Sequence, residues 1–137
     1  MSRCSPDEDS LTKLFQRDPV GRRDSAMVRP IRSIEIYVPL DFNDGSPIPE
    51  SKYIALQHEL LLKFGGVTST QRQFPLQGVW KAGPDVYLDR VILLSVMDFH
   101  SGTQLQCLQY LTRLKTRLKK KFEQLEILIT VTELLAI

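Results

Sequence analysis

Residues able to carry chemistry are few and scattered in this 137-residue chain. The two histidines, His58 and His100, are not at a two-histidine helical spacing, and two imidazoles without assisting carboxylates are too few for most metal sites. No metal and no cofactor is therefore expected. His58 falls on the flank of a predicted helix, whereas His100 follows Asp98 and Phe99 at a strand end, where the Asp98 carboxylate could orient it as a general base. Neither a Gly-x-Ser-x-Gly elbow nor a Walker loop nor a dinucleotide fingerprint occurs. Cys107 sits in an apolar helical stretch that suits an inert thiol better than a nucleophile. Gly65-Gly66 precedes a strand, not the helix N-terminus that phosphate binding exploits. These residue types assign no catalytic group.

Two sets of residues are better placed for binding. Gly78 in a strand permits a bulge or close backbone approach, and the adjacent Trp80 can wall a pocket; with Tyr37, Tyr87 and His100 it forms the candidate ligand-binding set. The other set is basic. Arg113, Lys115, Arg117, Lys119, Lys120 and Lys121 fall between Thr103 and Phe122, a stretch without an acidic residue. At 100° per residue Arg113, Arg117 and Lys120 lie opposite the leucines, giving an outer face that is either solvated or open to a phosphate or acidic partner. RNA-reading sheets need aromatics on both central strands. Tyr37 offers one platform but the third strand is aliphatic, so nucleic acid is not the favoured partner.

Composition bounds the rest. A 42% hydrophobic content is enough for one core, and a net charge of +2 from 18 basic and 16 acidic residues predicts no polyanionic partner by itself. Cys4 and Cys107 have no disulfide or metal-knuckle spacing, which suits a reducing cytoplasm. The first twenty residues contain Asp7, Glu8 and Asp9 and no apolar core of a signal peptide. The longest apolar run, Val91 to Met97, is far below the ~20 residues of a membrane-spanning helix. A soluble, cytoplasmic protein without a membrane partner is expected.

The elements follow from periodicity. Residues 1–30 read as a tail punctuated by Pro6, Pro19, Gly21 and Pro30, with one short helix candidate from Ser10 to Arg17 and a candidate start at Met27. From Ile31 the pattern has period two, with Ile34, Ile36, Val38 and Leu40 on one side. A turn over 41–47 and Pro49 lead into a helix ending at Phe64, whose Tyr53, Leu56, Leu60 and Phe64 form a stripe. Gly65 supplies a left-handed helix end. A second strand over Val67 to Arg72 belongs at a sheet edge because of Pro75. Val79-Trp80-Lys81 turns through 82–85 into a long strand from Val86 to Met97, apolar on both faces and hence central. The second helix carries Leu105, Leu108, Leu111, Leu114, Leu118 and Phe122; Leu125 to Val131 forms the last strand, and Glu133 to Ile137 a short hydrophobic end. The order βαββαβ predicts a ferredoxin-like α+β domain over 31–137, an antiparallel sheet with two helices on one face.

The series Tyr37-Val38-Pro39-Leu40, Asp44-Gly45, Phe64-Gly65-Gly66-Val67-Thr68, Gly78-Val79-Trp80 and Phe122-Glu123-Gln124 with Ile127-Leu128-Ile129 resembles a family of small bacterial α+β proteins. The resemblance covers residues 34–132. It implies a compact α+β domain and carries over no catalytic residue, since that family has no assigned reaction.

With one sheet face left for something else to cover, the sequence points to a homodimer through the sheet face that works as an interaction or small-ligand-binding module. The alternatives are a small α+β-barrel enzyme with a pocket between sheet and helices, marked by an enclosed cavity containing Tyr37, Trp80 and His100, and nucleic-acid binding through the basic helix.

Overall fold

A computed structural model describes residues 28–99 and 102–137. Residues 1–27 of the expected tail, with the helix from Ser10 to Arg17, and His100 lie outside the described residues, whereas Arg29 and Pro30, read as the end of the tail, belong to the first strand. Strand β1 (Arg29–Pro39) is followed by helix α1 (Glu50–Phe64), strands β2 (Thr68–Ser69), β3 (Leu76–Ala82) and β4 (Asp85–Asp98), helix α2 (Gln104–Lys121) and strand β5 (Leu128–Ala136). All pairings are antiparallel, in the order β2-β4-β1-β5, with β3 also on β4. Because β1 occupies one edge of β4 over residues 91–98, Thr68↔Ser95 and Leu76↔Val91 must lie on the other edge. Strands β2 and β3 are thus two pieces of one interrupted edge strand, and the fold is the ferredoxin-like βαββαβ arrangement.

The interruption shortens the expected second strand to two residues. Thr70 still donates its N–H to the Leu93 carbonyl at 3.1 Å, but a turn closes from the Phe74 N–H to the Gln71 carbonyl at 3.0 Å. The Arg72 side chain leaves the sheet edge, donating to the Ile48 carbonyl at 3.1 Å and lying 4.9 Å from the Tyr53 ring centroid. Pro75 has no N–H to restore the ladder, which resumes at Leu76.

Helix α1 begins directly after Pro49 and stops at Gly65, whose φ of +87° is the left-handed cap expected there; its N–H reaches the Leu61 carbonyl. Helix α2 starts with a reciprocal capping box between Thr103 and Gln106. Both helices pack on the sheet face carrying Ile34, Ile36, Val38, Ile92, Leu94 and Val96. The contributing stripe of α2 is Leu111, Leu114, Leu118 and then Phe122, whereas Leu105 and Leu108 are exposed. Three-residue steps lag the helical turn by about 60° each, so successive leucines at that spacing rotate off the core.

The last strand also departs from expectation. It starts at Leu128 and runs to Ala136, because β1 extends back to Arg29 and gives the chain end a partner through Arg29↔Ala136. The segment read as a short hydrophobic end is therefore strand. Strand β4 is central, but it is fully buried only on its helix side and only at Ile92, Leu94 and Val96: Val91 and Leu93 are half-buried and Met97 is exposed on the other face. Among the described residues, no helix is long and apolar enough to cross a membrane.

Candidate aromatic site at the root of the hairpin arm

Strands β3 and β4 continue beyond the sheet. The β1 pairing of β4 stops at Pro39↔Val91, so Asp85–Arg90 is held by β3 and by a last bond from the Leu40 N–H to the Arg90 carbonyl at 2.9 Å. The result is a two-stranded arm closed by a tight turn at Gly83 and Pro84, with Gly83 at φ +61°. The register places Trp80 opposite Tyr87 and Gly78 opposite Asp89. All four share the sheet face that holds Tyr37 and Leu93, the face turned away from the helices.

A cavity of about 790 Å³ lies at the root of this arm, and Tyr37, Trp80 and Tyr87 all line it. Trp80 stacks on Tyr87 with ring centroids 4.5 Å apart and planes at 20°, and its indole N–H donates to the Asp89 carboxylate at 2.5 Å. Gly78 has only the Asp89 carbonyl near a would-be Cβ, at an ordinary 3.8 Å, and the strand register runs through it without a bulge, so neither the bulge nor the close backbone approach expected there is present. The Tyr37 hydroxyl donates to Glu35 at 2.8 Å; that bond, with some burial and the nearby carboxylate charge, pushes its pKa up and keeps the phenol neutral.

The rim is polar and braced. Arg90 grips Asp41 with Nη2 at 2.8 Å and 3.0 Å from its two carboxylate oxygens. Asp44 accepts the Ser46 N–H and hydroxyl, which hold its carboxyl below the usual range, and Asn43 donates to the Glu123 carbonyl at 3.2 Å. Among the described residues, Asp41 is compensated by Arg90, while Asp89 has only the indole N–H. The arrangement offers aromatic faces and one uncompensated carboxylate, chemistry for holding a planar or cationic group.

Of the candidate set Tyr37, Trp80, Tyr87 and His100, the fold brings the three aromatic residues to one cavity, and His100 lies outside the described residues. Sequence reasoning did not name Asp89, Asp41 or Arg90. The signal for Asp89 was present, since the tight turn at Gly83-Pro84 fixes the register that places it beside Trp80. Asp98, the expected orienter of His100, is at the other end of β4, ~36 Å along the strand from Tyr87 by strand rise, and is paired with Arg32 at 3.5 Å.

The basic helix resolves into distinct environments. Arg117 makes a bidentate pair with Glu59 of α1, both bonds at 2.8 Å, and the Tyr110 hydroxyl donates to the same carboxylate at 2.6 Å. The Arg117 hydrogen bonds, helped by Tyr110, hold Glu59 down at about 2 despite its burial. Lys115 pairs with Glu126 at 2.7 Å. The acidic partners absent from the helix itself come from α1 and from the turn before β5. Arg113 and Lys120 remain exposed.

No family model and no curated protein matches the chain. Solved structures do. A phage SAM lyase in complex with S-methyl-5'-thioadenosine aligns with a TM-score of 0.59 at 12% identity, covering 75% of this chain and 81% of that one. The apo state of a phage SAM lyase gives 0.57 at 13%, over 74% and 79%. CutA from Synechococcus elongatus gives 0.51 at 12%, over 80% and 84%. At these identities the likeness is one of fold.

Proposed function

We propose that this protein is a homodimeric small-ligand-binding module of the bacterial cytoplasm, with the ligand held in the cavity at the root of the hairpin arm. The observation that carries this reading is the convergence of Tyr37, Trp80 and Tyr87 on one cavity. A planar ring could lie against the exposed side of the Trp80–Tyr87 stack, and a donor or positive charge on it would meet Asp89. Membership of the bacterial family with the Phe-Gly-Gly-Val-Thr, Gly-x-Trp and Phe-x-Gln series is part of the proposal, and Trp80 and Gln124 of that series line the cavity.

The S-methyl-5'-thioadenosine bound by the phage SAM lyase belongs to that protein, but a purine nucleoside is a sound first probe for an aromatic cavity. Trp80 is the sole tryptophan, so its fluorescence reports on this site alone. Titration with S-methyl-5'-thioadenosine and adenosine is expected to quench it saturably, and Tyr87→Ala to abolish the response. Native mass spectrometry of the purified chain tests for retained ligands without choosing one. No retained mass together with no saturable change at millimolar nucleoside would sink the ligand reading.

Self-association rests on a separate observation: Val79, Val86 and Leu88 are each about two-thirds exposed on the arm, and Met97 and Leu128 are exposed on the open sheet face. Burying such surfaces against a second copy covers apolar area on both at once. Light scattering tests it, a monomer at all concentrations being the contrary result. The enzyme alternative needs its pocket between sheet and helices, and Tyr37 and Trp80 face the other way. For nucleic acid, the pairing of Arg117 with Glu59 removes a central cation from the proposed surface.

A further inference from the structure

A second cavity, of about 480 Å³, opens between the last turn of α1 and the first half of α2, at the opposite end of β4 from the arm. Lys63 and Phe64 of α1, Asp98 of β4, and Cys107, Tyr110 and Arg113 of α2 line it. Its size lies in the range that small-ligand sites occupy. The one carboxylate in this wall is already compensated: Asp98 pairs with Arg32 at 3.5 Å, both side chains largely buried, and Arg32 also donates to the Gly102 carbonyl at 2.6 Å.

The two remaining cations are not compensated. Lys63 and Arg113 are exposed, and among the described residues neither has a carboxylate within ion-pair distance. The Lys63 ammonium sits 4.8 Å from the Tyr110 ring centroid. Phe64 and Tyr110 meet edge to face at 5.9 Å and form an apolar wall beneath the charges. This sets Arg113 apart from Arg117, one turn further on, whose guanidinium is closed by Glu59. Two free cations above an aromatic wall are complementary to a negative charge carried on an apolar body.

We propose that this cavity is a second ligand site, independent of the aromatic one, that binds a small organic anion, a carboxylate or a phosphate monoester with a ring or short apolar body. Lys63 and Arg113 hold the anionic end. Phe64 and Tyr110 hold the body.

Cys107 reports on occupancy because its half-buried thiol lines the same cavity. Burial pushes this thiol up, partly offset by Arg32 and Lys63, so its alkylation at mildly alkaline pH is slow enough to follow. The full-length chain is treated with iodoacetamide alone and with benzoate, phenyl phosphate or the neutral benzamide, and modification of Cys107 and Cys4 is resolved by peptide mass spectrometry. At least one anion is expected to slow Cys107 alkylation several-fold while benzamide does not, and which anion acts distinguishes carboxylate from phosphate. In a Lys63→Gln, Arg113→Gln variant, both changes being at exposed positions, the protecting concentration should rise roughly tenfold, the loss expected from two partly exposed ion contacts. The proposal is overturned if neither anion protects up to about 10 mM, where a Kd of about 1 mM would already give roughly 90% occupancy. It is equally overturned if benzamide protects as well as the anions, or if the folded variant is protected like the parent. Trp80 fluorescence is read in parallel, so failure here and failure at the arm cavity are separate results.

Discussion

Strand β4 has two halves built from the same kind of residue and treated in opposite ways. Ile92, Leu94 and Val96 are at most 2% exposed, whereas Val86 and Leu88, in the same alternation on the same strand, are about two-thirds exposed. Length accounts for the difference. At 1.5 Å per residue the 15 residues of α1 span ~22 Å, while at about 3.3 Å per residue the 14 of β4 span ~46 Å. One layer of helices covers about half the strand, and the remainder becomes the arm. An alternating apolar pattern specifies which face a residue occupies, but what lies over that face depends on elements elsewhere in the chain.

The sharpest way to break this comparison is to truncate the covered half. Leu94→Ala removes a fully buried side chain beneath both helices, and a loss of about 2–5 kcal/mol is expected from chemical denaturation. A cost under 1 kcal/mol would show that the two halves do not differ as described.

Two glycines extend the test to the backbone. Gly65 ends the helix that covers the core and Gly83 turns the arm; both have positive φ, and neither has a neighbour within 4 Å that a Cβ would strike. Strain alone therefore sets the cost of Gly65→Val, about 1–3 kcal/mol. The same substitution at Gly83 strains a ribbon that can open locally, so the global denaturation midpoint should move less. Equal shifts at the two positions would mean that arm and core unfold as one unit.

A smaller effect separates the helix layer from the sheet. The Glu59 carboxyl is held at about 2, against an ordinary 4.5, chiefly by the Arg117 hydrogen bonds. A depressed carboxylate contributes stability that is fully present above its unfolded value and is lost as pH falls through about 4 toward 2. Since both partners are at least one-third exposed, Glu59→Gln should cost about 1 kcal/mol at pH 7 and flatten the acid limb of the stability profile. An acid limb unchanged by the substitution would place that dependence on other carboxylates.

How far the sequence could be read follows the same division. The period-two run from Ile34 to Leu40 and the stripe Tyr53, Leu56, Leu60, Phe64 identified core residues correctly because each pattern is local and its period is set by one element. Leu105 and Leu108 misled because spacing by three looks helical yet drifts off the core. The end of β5 was hidden because its strand character depends on β1 reaching back to Arg29. In the site, Tyr37, Trp80 and Tyr87 were nameable as exposed-type aromatics on strands, and the hairpin register adds Asp89. The Arg90–Asp41 and Arg117–Glu59 pairs join residues 49 and 58 apart, and no local pattern signals them.

The smallest expected effect bears on whether the arm is free. For a chain that stays monomeric, Leu88→Ala removes a side chain already facing water, and stability should change by no more than about 0.5 kcal/mol. If instead a second copy covers the arm, Leu88 is buried in the assembly, and folding becomes linked to association by mass action. The parent's melting midpoint then rises with protein concentration, and Leu88→Ala reduces that slope while leaving the dilute-limit midpoint nearly unchanged. Melts at two concentrations a hundredfold apart distinguish the cases. A concentration-independent midpoint in both proteins would leave the arm uncovered by its own kind, and its exposed Val79, Val86 and Leu88 would then have to be matched by a different partner.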